Sequence, residues 1–280
     1  MTLTDAPTTW VSEFRAPRNS AAEVKGSIHD DATAAKLGFK GGTVAGSIHM
    51  DQFVPGLLAL YGGAWFETGA MSLYFTQATV DAEKVRATVE PGAERARLTM
   101  HNEAGALICE GTAGLGRDPL SELAKRLEAQ NPAEPGALRI LREMRIGDEH
   151  HDLPVRIEAE ALAKALETLT EPLPAYRDDH VLPPSHLVRL AHETRREALG
   201  KAAQPAVGLF GALEVEQFVG PLRAGVDYLA RTRVLKLSES PRTENVWYEV
   251  VFTAKDGGPD LGRVLYYLRF MKGSSPLWAA

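Results

Sequence analysis

His29, Asp30 and Asp31 stand side by side early in the chain. Gly46, Ser47 and His49 follow them across a glycine-rich stretch, Leu37-Gly38-Phe39-Lys40-Gly41-Gly42-Thr43-Val44-Ala45. An imidazole beside two carboxylates can give, take and steer a proton near neutral pH. Gly46 and Ser47 open an apolar segment that runs to Tyr61. At the start of a helix the first backbone N–H groups lack intrahelical acceptors and lie at the positive end of the dipole. Such a start can receive the oxygen of a polarised carbonyl. The chemistry open to these residues together is to polarise a carbonyl and move a proton beside it.

Each candidate also has a plainer role. Asp30 or Asp31 would cap a short helix and leave His29 merely exposed. His49 would line a pocket or bond a backbone carbonyl in the core. Gly41-Gly42 has neither the spacing nor the preceding strand of a dinucleotide loop. His150-His151 after Asp148 reads as a solvated loop rather than a metal pair, and no metal site is expected. His186 and His192 fall on different helix faces, and His192-Glu193 lacks the second histidine of a zinc-protease helix. Ser47 has no nucleophile-elbow context. Arg189, Arg195 and Arg196 form a basic helix face, either solvated or turned to the phosphates of a CoA-type ligand.

These residues sit in a chain of 280 residues with 44% hydrophobic and 24% charged content, ordinary for a globular protein with a buried core. A net charge of −6 argues against nucleic acid as a general partner. The single cysteine, Cys109, excludes an internal disulfide and a cysteine-based zinc cluster. Met1 to Phe14 shows no basic-then-apolar pattern, and the run Phe53 to Phe66 is too short to span a bilayer. A cytoplasmic location and no membrane partner are expected.

The polar cluster must be held by the elements around it. A short helix is expected over Asp31–Leu37, ended by Gly38. The main helix is expected over Gly46–Tyr61, with Met50, Val54, Leu57, Leu58 and Tyr61 at helical spacing. Ile48, Phe53 and Leu60 fill its other faces, so it should be covered nearly all round, with a kink at Pro55. The period then changes to two at Met71–Phe75, Val85–Val89, Ala96–Met100 and Leu107–Ala113, which predicts an antiparallel meander. Asp118-Pro119 predicts the start of a helix with Leu120, Leu123 and Leu127 on its apolar face. Asn131–Ala137 reads as a linker.

The second half repeats this plan. A helix over Ser185–Leu199 follows Pro183-Pro184. Strand patterns come after it at Gly208–Phe218, Tyr228–Leu237, Asn245–Ala254 and Gly262–Met271. Ser47 to Met71 and Ser185 to Leu209 are equal distances. The expected fold class is α+β, with two antiparallel sheets each wrapped around a long central helix and joined at their edges. The expected divisions are 1–118, a linker helix and linker over 119–137, and 138–280.

A helix wrapped by a sheet, duplicated in one chain, resembles the double hotdog fold. Ser27-Ile28-His29, Gly38-Phe39 and Gly46 resemble the hydratase segment, 27–47, of MaoC-like and (R)-specific enoyl-CoA hydratases. The resemblance implies reversible hydration of an enoyl (3-hydroxyacyl) thioester linked to CoA or an acyl carrier protein. It implies that His29 transfers a proton and that Gly46 N–H holds the thioester carbonyl; Asp30 or Asp31, the carboxylates nearest in sequence, would orient the water or the imidazole. Ser47 and His49 would line the substrate site. No cofactor is implied, and the assembly would be a monomeric pseudo-dimer or a homodimer. Two positions depart from the motif: Val24 stands where its acid belongs, and Ala45 where a histidine precedes the glycine. A hotdog thioesterase, or an acyl or small-ligand binding protein with a decayed site, is therefore the alternative. Pro174–His180 resembles the decayed copy of the segment in fused hydratases, which implies that it shapes the acyl pocket.

Overall fold

The structure is a computed structural model that describes residues 8–117, 119, 121–134, 136–203 and 205–278. The stretches of alternating apolar residues become strands. In the first half these are β1 (Trp10–Val11), β2 (Gly69–Phe75), β3 (Val85–Glu90), β4 (Ala96–Asn102) and β5 (Leu107–Leu115). In the second they are β6 (Glu149–Val155), β7 (Gly208–Gln217), β8 (Tyr228–Glu239), β9 (Thr243–Ala254) and β10 (Asp260–Met271). Together they form one ten-stranded sheet in the order β1-β3-β4-β5-β2-β7-β10-β9-β8-β6. Read from the centre outward, the two halves carry the same order. They meet where β2 pairs antiparallel with β7, Leu73 opposite Leu213. That pairing removes one exposed edge from each half-sheet.

Two outer strands were not legible as such. β1 is only a bridge-length strand, held because Trp10 lies on α3 (Val54–Tyr61): a Cβ at Gly56 would come within 2.4 Å of its ring. His150 and His151 are not in a loop but on the edge strand β6. Its ladder with β8 slips between His150 and Leu153, where Asp152 has φ +53°.

The expected single helix over 46–61 is two helices, α2 (Gly46–Asp51) and α3, broken at Gln52-Phe53. Pro55 is the second residue of α3, where its missing N–H has no intrahelical acceptor to lose. Met50, Phe53, Val54 and Leu57 are fully buried. Leu58, Leu60 and Tyr61 are only partly so, hence the helix is not covered all round. The expected helix over 185–199 is likewise α8 (Pro184–His192) and α9 (Arg195–Ala198). The short helix α1 (Asp31–Lys36) ends before Gly38, whose φ of +84° suits glycine. Four further helices were read only in part or not at all: α4 (Ala64–Thr68), α5 (Glu122–Ala129), α6 (Ala159–Leu166) and α7 (Pro174–Asp178).

Asp118 and Leu120 lie outside the described residues. The N-cap of α5 is Ser121, whose Oγ accepts the Ala124 N–H at 3.1 Å. Leu123 of this helix is buried with Ala212, Trp247, Leu265 and Tyr267 on the outer face of the sheet. Gln130 donates to the Tyr267 hydroxyl at 3.0 Å, and Ala133 N–H to Leu237 O at 2.9 Å. The linker expected at 131–137 is thus docked along the second-half strands. Among the described residues no helix is long and apolar enough to cross a membrane.

Candidate functional site

A cavity of about 940 Å³ opens between the halves. The first half contributes Val24, His29, Gly46, Ser47, His49 and Thr79; α8, α9 and the strands β7 and β10 close the other side.

Local backbone contacts explain why the His29 segment holds its shape. Asn19 Nδ2 donates to His29 O at 2.8 Å, and Thr43 N–H to Ile28 O at 3.1 Å. Gly42 passes so close that a Cβ there would lie 2.1 Å from His29 O. His29 Nδ1 sits 2.7 Å from Thr43 O. A carbonyl only accepts, so Nδ1 donates to it, and among the described residues Nε2 has no partner. His29 lines the cavity with that nitrogen free.

Gly46 and Ser47 begin α2 after Ala45, which is extended. Among the described residues neither amide N–H has an acceptor. A Cβ at Gly46 would lie 2.7 Å from the Phe75 ring, so only glycine leaves that approach open. The pseudo-equivalent start of α8 is closed instead. Pro184 has no N–H, and the Ser185 N–H is bonded to Asp51 Oδ1 at 2.8 Å. The two halves are thus unequal: the open helix start lies in the first.

His49 is buried, with Nε2 2.8 Å from Thr79 Oγ1 and Nδ1 without a partner. Burial pushes its pKa down to about 4, so it is neutral at pH 7.

Asp30 and Asp31 are beside His29 in sequence but do not line the cavity. Asp30 accepts from Thr33 Oγ1 at 2.9 Å and from Gly26 N–H at 3.4 Å, with Lys25 Nζ at 3.5 Å. The Thr33 hydroxyl, more than these others, holds its carboxyl below the usual range. Asp31 Oδ1 takes the Gly42 N–H at 2.7 Å and pins the glycine loop. Both carboxylates serve the scaffold of the segment.

Sequence reasoning missed part of what the second half adds. His192, the last residue of α8, opens its ring to the cavity; so do Arg189, Arg195, Arg242 and Arg269. Among the described residues none of the four arginines makes an ion pair, and the lining contains no carboxylate. Arg269 donates to the Tyr74 hydroxyl at 2.7 Å. The basic face of Arg189 and Arg195 was visible in the sequence; its meeting with His29 was not. Pro174–His180, expected to shape the same pocket, lines a separate cavity of about 330 Å³ with α6. Tyr176 there is fully buried.

No protein-family model matches the sequence, and no curated protein matches it either. Solved structures do match the fold. A structure described as a MaoC domain dehydratase of Chloroflexus aurantiacus J-10-fl superposes with a TM-score of 0.62 at 11% identity, covering 95% of each chain. A conserved hypothetical protein of Mycobacterium tuberculosis with a double hotdog fold gives 0.59 at 11% identity, covering 95% of this chain and 97% of the other. A MaoC-like dehydratase gives 0.55 at 14% identity, covering 95% of this chain and 99% of the other. The chain is a double hotdog, and its structural neighbours include MaoC-like dehydratases.

Proposed function

We propose that this protein adds water across the double bond of an enoyl thioester, or removes it from the 3-hydroxyacyl thioester in reverse. The observation that carries this reading is the shared cavity of the open Gly46 and Ser47 amides and the free Nε2 of His29. The thioester oxygen takes a hydrogen bond from the Gly46 N–H, and the enolate charge that develops there is stabilised as it forms. That withdraws electrons from the β-carbon. His29 Nε2 takes a proton from water as its oxygen bonds to the β-carbon, then returns that proton to the α-carbon. The net change is one water added across the double bond. Ser47 and His49 shape the wall beside the carbonyl. The four arginines without carboxylate partners suit the phosphates of CoA or of a carrier-protein arm.

Hydrolysis by carboxylate-activated water is the weaker reading, since no carboxylate lines the cavity. The test is a panel of enoyl thioesters of increasing chain length, on CoA and on carrier protein, assayed for both products. A hydroxyacyl thioester is the expected product; free thiol would indicate a thioesterase. Binding without turnover would indicate a ligand-binding protein.

A further inference from the structure

We propose that His192, delivered from the second half by α8, is a catalytic residue that accepts the second hydrogen of the attacking water. The inference rests on the hydration reading above.

Water must present one lone pair to the β-carbon, so both of its hydrogens need acceptors. His29 supplies one acceptor, because its other nitrogen is committed to Thr43 O. The second must be another strong acceptor lining the same cavity. The lining offers no carboxylate, and its arginines only donate. His49 is 2% exposed and engaged with Thr79. Ser185 Oγ is taken up with His186 Nδ1 at 3.1 Å. Of the acceptors left in the lining, which include the Gln77 amide and the Ser47 hydroxyl, His192 is the imidazole: it lines the cavity, and among the described residues neither nitrogen has a partner.

The helix that carries His192 is fixed at two points. At one end of α8 Asp51 binds the Ser185 N–H; farther along, Tyr266 donates its hydroxyl proton to Val188 O at 2.7 Å. Surrounding protein, then the charges of Arg195 and His29, push the His192 pKa down to about 4. At neutral pH its ring therefore keeps a lone pair for the water. The proton balance is unchanged: His29 takes one hydrogen from the water and passes it to the α-carbon, while His192 orients the water through the hydrogen that stays on the new hydroxyl.

The experiment uses the full chain and the enoyl thioester on which wild type is most active. His192→Ala should lower kcat by at least about tenfold with little change in KM, because the contact matters most in the transition state. The melting temperature should not move. His29→Ala should lose more, and the two losses should not multiply. An H192A enzyme with wild-type kcat overturns the proposal. Absence of wild-type turnover overturns the hydration reading instead. The water site is then decided by ¹⁵N NMR of the histidine rings: H192A must shift the His29 Nε2 signal, and an unmoved signal sinks it.

Discussion

Asp51 of α2 accepts the Ser185 N–H of α8 at 2.8 Å, so the central helix of one half caps that of the other. Asp51 is 1% exposed, and its Oδ2 has no partner. Burial outweighs the Ser185 hydrogen bonds and raises its pKa to about 7. A carboxyl raised in this way holds a proton in the native state that the unfolded state has already lost. Its contribution to stability is therefore greatest at low pH and declines as pH rises from about 4 to about 7. Asp51→Asn keeps an acceptor for Ser185 and removes the titration. Urea midpoints at pH 5 and pH 8 should differ less in this variant than in wild type. Asp51→Ala should cost about 1–3 kcal/mol at both pH values, since it leaves a buried N–H without an acceptor.

On the outer face of the sheet Arg263 holds three glutamates: Glu214 at 2.7 Å, Glu216 at 2.6 Å and Glu249 at 3.2 Å. Burial, then the Glu216 charge, pushes Glu214 up to about 7. Arg263→Met strands these acids against one another. It should destabilise the fold by about 3–5 kcal/mol, read from chemical denaturation, because breaking a buried pair leaves uncompensated charge. The loss should be larger at pH 8 than at pH 5.

His29→Ala should reduce turnover by about a hundred- to ten-thousandfold, the span of a positioned acid or base. Asp30→Asn and Asp31→Asn should leave turnover within a few-fold and lower the melting temperature slightly, since they weaken the bonds to Thr33 and Gly42. Loss of activity in either asparagine variant without loss of stability would return a carboxylate to the chemistry.

Gly46→Ala places a methyl 2.7 Å from the Phe75 ring. Overpacking of this kind should cost about 1–3 kcal/mol by thermal melting. It also moves the amide proposed to donate to the thioester oxygen, so kcat/KM should fall by at least about tenfold. Wild-type kinetics in G46A would remove the helix start from the site.

The sequence by itself determined the elements that depend on near neighbours. Alternation at Met71–Phe75 and Tyr228–Leu237 made strands because side chains of a strand alternate between faces, and the sheet needed one apolar face. Helical spacing placed Met50, Val54 and Leu57 in the core. That His29 and Gly46 come together was legible because they share one short segment; both line the cavity. The break at Gln52-Phe53 was not, since both side chains are buried only in the folded chain. Asp30 and Asp31 looked catalytic from adjacency alone, and their directions were set by Thr33 and Gly42. Tertiary structure alone decided which helix start stays open, because Asp51 and Ser185 meet only when the halves pack. It likewise decided that His192 and the arginines of the second half line the same cavity as His29. No local pattern couples residues so far apart; the β2–β7 pairing and the α2–α8 contact bring them to one cavity.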